Sequence, residues 1–160
     1  MWWTRCMRKI RAFLVLRSRS LTTAEKQLAA SVFGQSLDTS QVKIVAHRLI
    51  LKDYAMSPNG HVYFHLDNWC EDFTARSLSQ QSWLIHELTH VWQLQQGIAV
   101  LRRALFDRQY SYVLEQGKQF LNYGVEQQAQ MVQDYFLKRA RGQDCQAYEA
   151  CLPFLPDLKH

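Results

Sequence analysis

The sequence predicts an α+β domain, mainly helical, with a small sheet beside a central helix. Three observations carry that prediction. Val42-Lys-Ile-Val-Ala-His47 alternates and is β-branched, so it reads as a strand, and His61–Leu66 reads as a second one. The stretch from Thr74 to Gln96 has helical periodicity with no Pro or Gly inside it. The run from Phe120 to Phe136 repeats that periodicity, with Val125, Ala129, Val132 and Phe136 forming an apolar stripe. Strands beside a helical core point to α+β rather than to an alternating fold.

The elements follow in order. Thr22-x-x-Glu25 has the form of a capping box and opens a helix reaching about Phe33, with Gly34 ending it. Ser57-Pro-Asn-Gly60 is a strong turn signal between the two strands. In the central helix Leu84, Leu88, Val91 and Gln95 follow a 3.6-residue period, and Ile85 and Trp92 widen the stripe. Gly97 is placed to end it. Large apolar residues occur nearly all round, which predicts a buried element. Ile98–Phe106 is expected to be a short helix, and Asp107–Phe120 a loop carrying Tyr110 and Tyr112. The tail from Gly142 to His160 holds Pro153 and Pro156 and is expected to pack irregularly. No repeat or second domain is visible. The chain divides into a basic N-terminal arm, residues 1–20, and one domain, residues 21–160.

The central helix carries the chemistry. It contains His86-Glu-Leu-Thr-His90. Histidines four apart lie one above the other on one helix face, so both imidazoles can reach a single metal ion. Glu87 points to the neighbouring sector, where it can handle a proton on a bound water. Two histidines and a glutamate inside a buried helix need strong partners. Zinc is the expected ion, because two histidines and one carboxylate are a common catalytic zinc shell. No histidine follows His90 until His160, so the third ligand is sought among acids. Glu126 sits one step off the apolar stripe near the start of the second long helix. It is the expected third ligand, against the simpler reading of a first-turn glutamate favoured by the helix dipole. Asp134 is the alternative ligand, or a partner to one of the histidines. Tyr110, Tyr112 and Tyr123 are candidate donors to a developing oxyanion. His61 and His65 share a strand face.

The combination of His86-Glu-Leu-Thr-His-Val-Trp-Gln93 with Tyr123-Gly-Val-Glu-Gln-Gln-Ala129 resembles small zincin-type metallopeptidases whose third ligand is a glutamate. More narrowly it resembles the Vgr-related and Rhs-associated proteins of bacterial type VI secretion loci. It is also similar to the metalloprotease-like core domain found with extracellular contractile injection systems. Val32–Val45 and His61–His65 fit the same resemblance, which covers roughly residues 19–141. It implies a zincin-like fold and a zinc-dependent peptide-bond hydrolase acting on protein or peptidoglycan peptide. It further implies a secretion-associated effector or toxin, with a spike component and a cognate immunity protein as partners. The strand His61–Leu66 would then line the cleft and take an extended substrate. The competing reading is a non-catalytic, zinc-stabilised adaptor of the secretion apparatus.

Charge and cysteines bound the remaining classes. The net charge of +5 comes from Arg5, Arg8, Lys9, Arg11, Arg17 and Arg19, all of which precede the first acid, Glu25. The arm reads as a solvated leader that docks on a partner. No aromatic-interleaved basic groove supports nucleic-acid binding. The apolar run Ala12–Leu16 is too short for a signal peptide and is followed by Arg17 and Arg19. No stretch approaches a membrane span. The expectation is a protein made in the cytoplasm and carried to a target cell by other machinery. Cys6, Cys70, Cys145 and Cys151 form no C-x-x-C pair, and Cys145 and Cys151 can either pair or stay as free thiols.

Overall fold

The structure is a computed structural model that describes residues 14–98 and 109–155. Four strands, β1 (Val15–Ser20), β2 (Lys43–His47), β3 (Ala55–Met56) and β4 (Val62–Phe64), form one sheet in the order β1-β2-β4-β3. Four α-helices accompany it among the described residues: α1 (Thr23–Phe33), α2 (Leu78–Gln95), α3 (Val125–Ala140) and α4 (Gln146–Cys151). The α+β prediction holds, with a mixed sheet. β1 runs antiparallel to β2, β2 parallel to β4, and β3 antiparallel to β4.

β1 falls inside the stretch that the sequence assigns to the basic arm. Its arginines do not prevent pairing, because an edge strand presents one side to water. The Arg17 and Arg19 guanidinium groups lie 5.1 and 5.7 Å from the Trp69 ring centroid. Arg19 also forks onto Glu25, Nη1 to Oε2 at 2.6 Å and Nη2 to Oε1 at 2.7 Å. The rest of the arm, residues 1–13, lies outside the described residues.

α1 starts as the capping box predicts. Thr22 Oγ1 accepts from the Glu25 amide, and the Glu25 carboxylate accepts from the Thr22 amide. The predicted strand His61–Leu66 shortens to Val62–Phe64. It is also interior, paired on both sides. Among the described residues the edge on that side of the sheet is β3, a correction to the expectation that 61–66 would receive a substrate. Strand order depends on non-local pairing, which alternation along one strand does not encode.

The central helix begins later than its uninterrupted periodicity implies. Asp72 caps a 3₁₀ turn, Phe73–Ala75, and Ser77 then caps α2 proper by accepting from the Gln80 amide. At the other end Gly97 takes φ +75°, and the amides of Gly97 and Ile98 close back onto Leu94 and Gln93 carbonyls. Residues 84–93 of α2 are all buried, as the all-round apolar pattern predicts. Phe64 of β4 packs on Phe73 and edge-on against Trp83, with centroids at 4.8 and 5.0 Å, so the sheet is seated against the start of α2.

α3 packs along α2 and begins at Val125, after a 3₁₀ turn at Phe120–Asn122. The tail is not irregular throughout. Residues 146–151 form α4, and Leu152, Phe154 and Leu155 enter the core, with Phe154 against Phe33 and Trp92. Cys70, Cys145 and Cys151 are free thiols. The predicted helix at 98–106 lies outside the described residues beyond Ile98. No described helix is long and apolar enough to cross a membrane.

Candidate metal centre

α2 and α3 bring three side chains to one point. His86 and His90 stand one turn apart on α2, their rings edge to face at 5.0 Å. Glu126, in the first turn of α3, reaches across to both. Its Oε2 lies 3.4 Å from His86 Nε2 and 3.3 Å from His90 Nε2. One ligand atom from each residue lies within 4.8 Å of the others, and all three residues are buried. Among the described residues this is the one cluster of such groups able to hold a metal ion.

The supporting contacts fix one imidazole closely. His90 Nδ1 meets Gln93 Oε1 at 2.8 Å. An amide oxygen only accepts, so Nδ1 carries the hydrogen and Nε2 is turned to the shared point. Gln93 Nε2 donates to the Val125 carbonyl and to Gln128 Oε1, both at 2.9 Å. Gln128 Nε2 donates in turn to the Tyr123 carbonyl at 2.7 Å. A chain of buried amides therefore ties the His90 ring to the start of the helix that carries Glu126. His86 Nδ1 is buried with no hydrogen-bond partner among the described residues.

Electrostatics shows what the convergence costs without a cation. Burial opposes a charged His90, but Glu126 and Glu87 outweigh it and raise its pKa to about 9. Burial likewise opposes a charged Glu126, yet its bonds to His86 and His90 lower its pKa to about 2. A proton thus fills the role of counter-charge. A divalent ion would fill it better, since two imidazole nitrogens and a carboxylate oxygen suit zinc.

Glu87 is buried beside the cluster, and its Oε2 accepts from Ser57 Oγ at 2.9 Å. Tyr110 is half exposed, with its ring 6.2 Å from that of His86. The other candidates stand elsewhere. Tyr112 donates to Asp134 Oδ2 at 2.6 Å and shares a hydrogen bond with Tyr148, and this burial and bonding raise its pKa. Asp134, bonded also to Gln130, is therefore occupied away from the histidines. Tyr123 accepts from the Glu115 amide and donates to the Val113 carbonyl, which anchors the loop before α3. Ser57, Gln93 and Gln128 lie in runs that the sequence marks as turn or motif, but their contacts to the site are not legible there. Gln93 had a signal, since it stands three residues past His90 on the same face.

No family model matches the chain. Its fold is similar to a solved structure, the effector domain of Pseudomonas aeruginosa VgrG2b. The TM-score is 0.71 and the identity 39%, over 84% of this chain and 82% of that one. The chain belongs to the VgrG2b effector-domain family. The type VI secretion system spike protein VgrG2b of P. aeruginosa PAO1 is 42% identical over 133 residues. That match takes in 76% of this chain and 13% of VgrG2b, so the chain corresponds to a small part of its relative. The VgrG2b likeness agrees with the type VI secretion resemblance read from the sequence.

Proposed function

We propose that this chain is a zinc-dependent peptide-bond hydrolase of zincin type, delivered as a type VI secretion effector. The observation that carries the reading is the convergence of His86 Nε2, His90 Nε2 and Glu126 Oε2, with Glu87 beside them. His86, His90 and Glu126 would hold the ion. When bound, zinc supplies Lewis acidity that acidifies a water and polarises a carbonyl. Glu87 accepts a proton from the attacking water. It then hands that proton to the departing amine as the amide C–N bond breaks. Tyr110, half exposed with its ring near that of His86, is the candidate donor to the carbonyl oxygen as charge develops there. The outer edge of β3 can align an extended chain, because among the described residues its backbone groups lack a strand partner on that side.

The substrate class is protein or peptidoglycan peptide in a target cell. By analogy with the spike protein VgrG2b, association with a secretion spike supplies the delivery route, and a producing cell would need an immunity partner. The test compares wild type with Glu87→Gln, each expressed in the cytoplasm and in the periplasm of a host. Zinc content, growth and peptide cleavage are measured. The variant is expected to keep one zinc per chain and to lose about 10²–10⁴-fold in turnover. Equal behaviour of both proteins would favour the non-catalytic adaptor instead.

A further inference from the structure

We infer that Ser57 is the positioning residue for the Glu87 carboxylate, tying the proton-handling group to the end of the β3 edge. The inference rests on the hydrolase reading above. Ser57 directly follows β3 and is buried at 6% exposure, as is Glu87 at 4%. Its hydroxyl does not bond locally, as serines in turns commonly do. It reaches across 30 positions of sequence to Glu87 Oε2 at 2.9 Å.

The backbone around Ser57 is held from both sides. Pro58 follows, which confines Ser57 to extended conformations. The turn then passes through Gly60 at φ +82°, where a Cβ would sit 3.8 Å from Leu94 Cδ2 of α2. The turn is thus packed against the helix that carries Glu87. A serine fixed in this way orients the carboxylate through Oε2 and leaves Oε1 to exchange the proton. It also sets the distance between the reacting carboxylate and an extended chain lying along β3.

A hydrogen bond to a charged group is worth about a factor of ten when only the transition state needs it in place. Three proteins test the point: wild type, Ser57→Ala and Ser57→Thr. Each is loaded with Co²⁺, whose visible spectrum reports the site. Acetohydroxamate is then titrated, a metal-chelating probe that shares its proton with a neighbouring carboxylate. Melting temperature is measured for each, and kcat and KM on a quenched-fluorescent peptide library.

Ser57→Ala is expected to bind one Co²⁺, to melt a few degrees lower because buried Glu87 loses a donor, and to bind acetohydroxamate about tenfold more weakly. Its kcat should fall about tenfold at unchanged KM, and Ser57→Thr should recover both within about threefold. Unchanged probe affinity in Ser57→Ala would overturn the inference. So would a probe loss matched by an equal loss of Co²⁺ affinity, or one that threonine fails to rescue. Wild type that binds Co²⁺ and probe but cuts no peptide would count against the hydrolase reading alone, since the probe arm still decides Ser57. Wild type that binds no Co²⁺ would overturn both.

Discussion

Glu25 and Glu126 are both buried carboxylates in the first turn of a helix, and their surroundings differ in kind. Glu25 is satisfied by the protein itself. It accepts both arms of Arg19, the Thr22 amide and the Phe73 amide at 2.9 Å, and so ties β1, α1 and the turn before α2 together. Glu126 has no such closure. The capping of α3 falls to its neighbour, since the Gly124 amide donates to Gln127 Oε1. The partners left to Glu126 are two imidazoles, at 3.4 and 3.3 Å, and the His90 pKa is raised in return. A first-turn glutamate with its own arginine is closed by the protein itself, whereas one that faces two imidazoles keeps a geometry that a cation could share.

The largest effects should separate these two roles. Arg19→Met leaves Glu25 buried and without its counter-charge, a change that costs about 3–5 kcal/mol. At this chain length that is a fall in melting temperature of about 6–20 °C. The folded protein should still take up one zinc. Glu126→Gln should do the reverse, lowering zinc affinity by more than about 100-fold, beyond the effect usual for a supporting contact. Its metal-free melting temperature should move less than that of Arg19→Met. Isothermal titration with zinc and calorimetry on both variants check the pair. Zinc lost from Arg19→Met, or kept by Glu126→Gln, would break the comparison.

The contrast was half legible in the sequence. Thr22-x-x-Glu25 announces its cap, and the spacing of His86 and His90 announces two imidazoles on one face, because both are local patterns on one helix. Glu126 could be singled out by its place beside an apolar stripe, yet a capping glutamate occupies the same place. Only tertiary packing distinguishes them. Arg19 read as part of a solvated arm, because nothing local shows that the chain before α1 pairs with β2 across more than 20 residues. Ser57 and Gln128 were hidden for the same reason, as their partners lie 30 and 35 positions away. The tail's irregular packing is read from Pro153 and Pro156, although three large apolar residues in four positions, Leu152, Phe154 and Leu155, already argue for the burial observed.

Acid and alkali sharpen the comparison next. His90 has a pKa raised to about 9 from an ordinary 6.5, so its stabilising charge is fully present below 6.5 and lost as pH rises through about 9. Glu126 is lowered from 4.5 to about 2, so its contribution is present above 4.5 and lost as pH falls through about 2. Metal-free protein should therefore be most stable between about 4.5 and 6.5, with the alkaline decline worth about 3 kcal/mol. The two shifts describe one interaction and are not summed. Zinc requires a neutral imidazole, so loading should abolish the alkaline decline, and zinc affinity should rise as pH approaches 9. Thermal unfolding of chelator-treated and zinc-loaded protein across pH 2–10 gives both curves. An alkaline decline that survives in Glu126→Gln would assign it to some other group.

The smallest effect concerns the amide chain behind His90. Gln93 is fully buried and joins the imidazole to the Val125 carbonyl and to Gln128, so it serves both the site and the α2–α3 packing. Removing a partner of a metal-binding histidine commonly costs about 10–100-fold in affinity, and the low end is expected here because Glu126 still orients His90. Gln93→Ala should thus bind zinc about tenfold more weakly. It should also melt lower, because Val125 and Gln128 lose a donor in the core. The two losses are separable with Gln128→Leu, which breaks the packing side of the chain and leaves the Gln93–His90 bond in place. If Gln128→Leu lowers the melting temperature but keeps zinc affinity, and Gln93→Ala lowers both, Gln93 acts on the metal through His90. Equal zinc affinity in all three proteins would mean that the amide chain only packs the helices, and that Glu126 alone sets the imidazole.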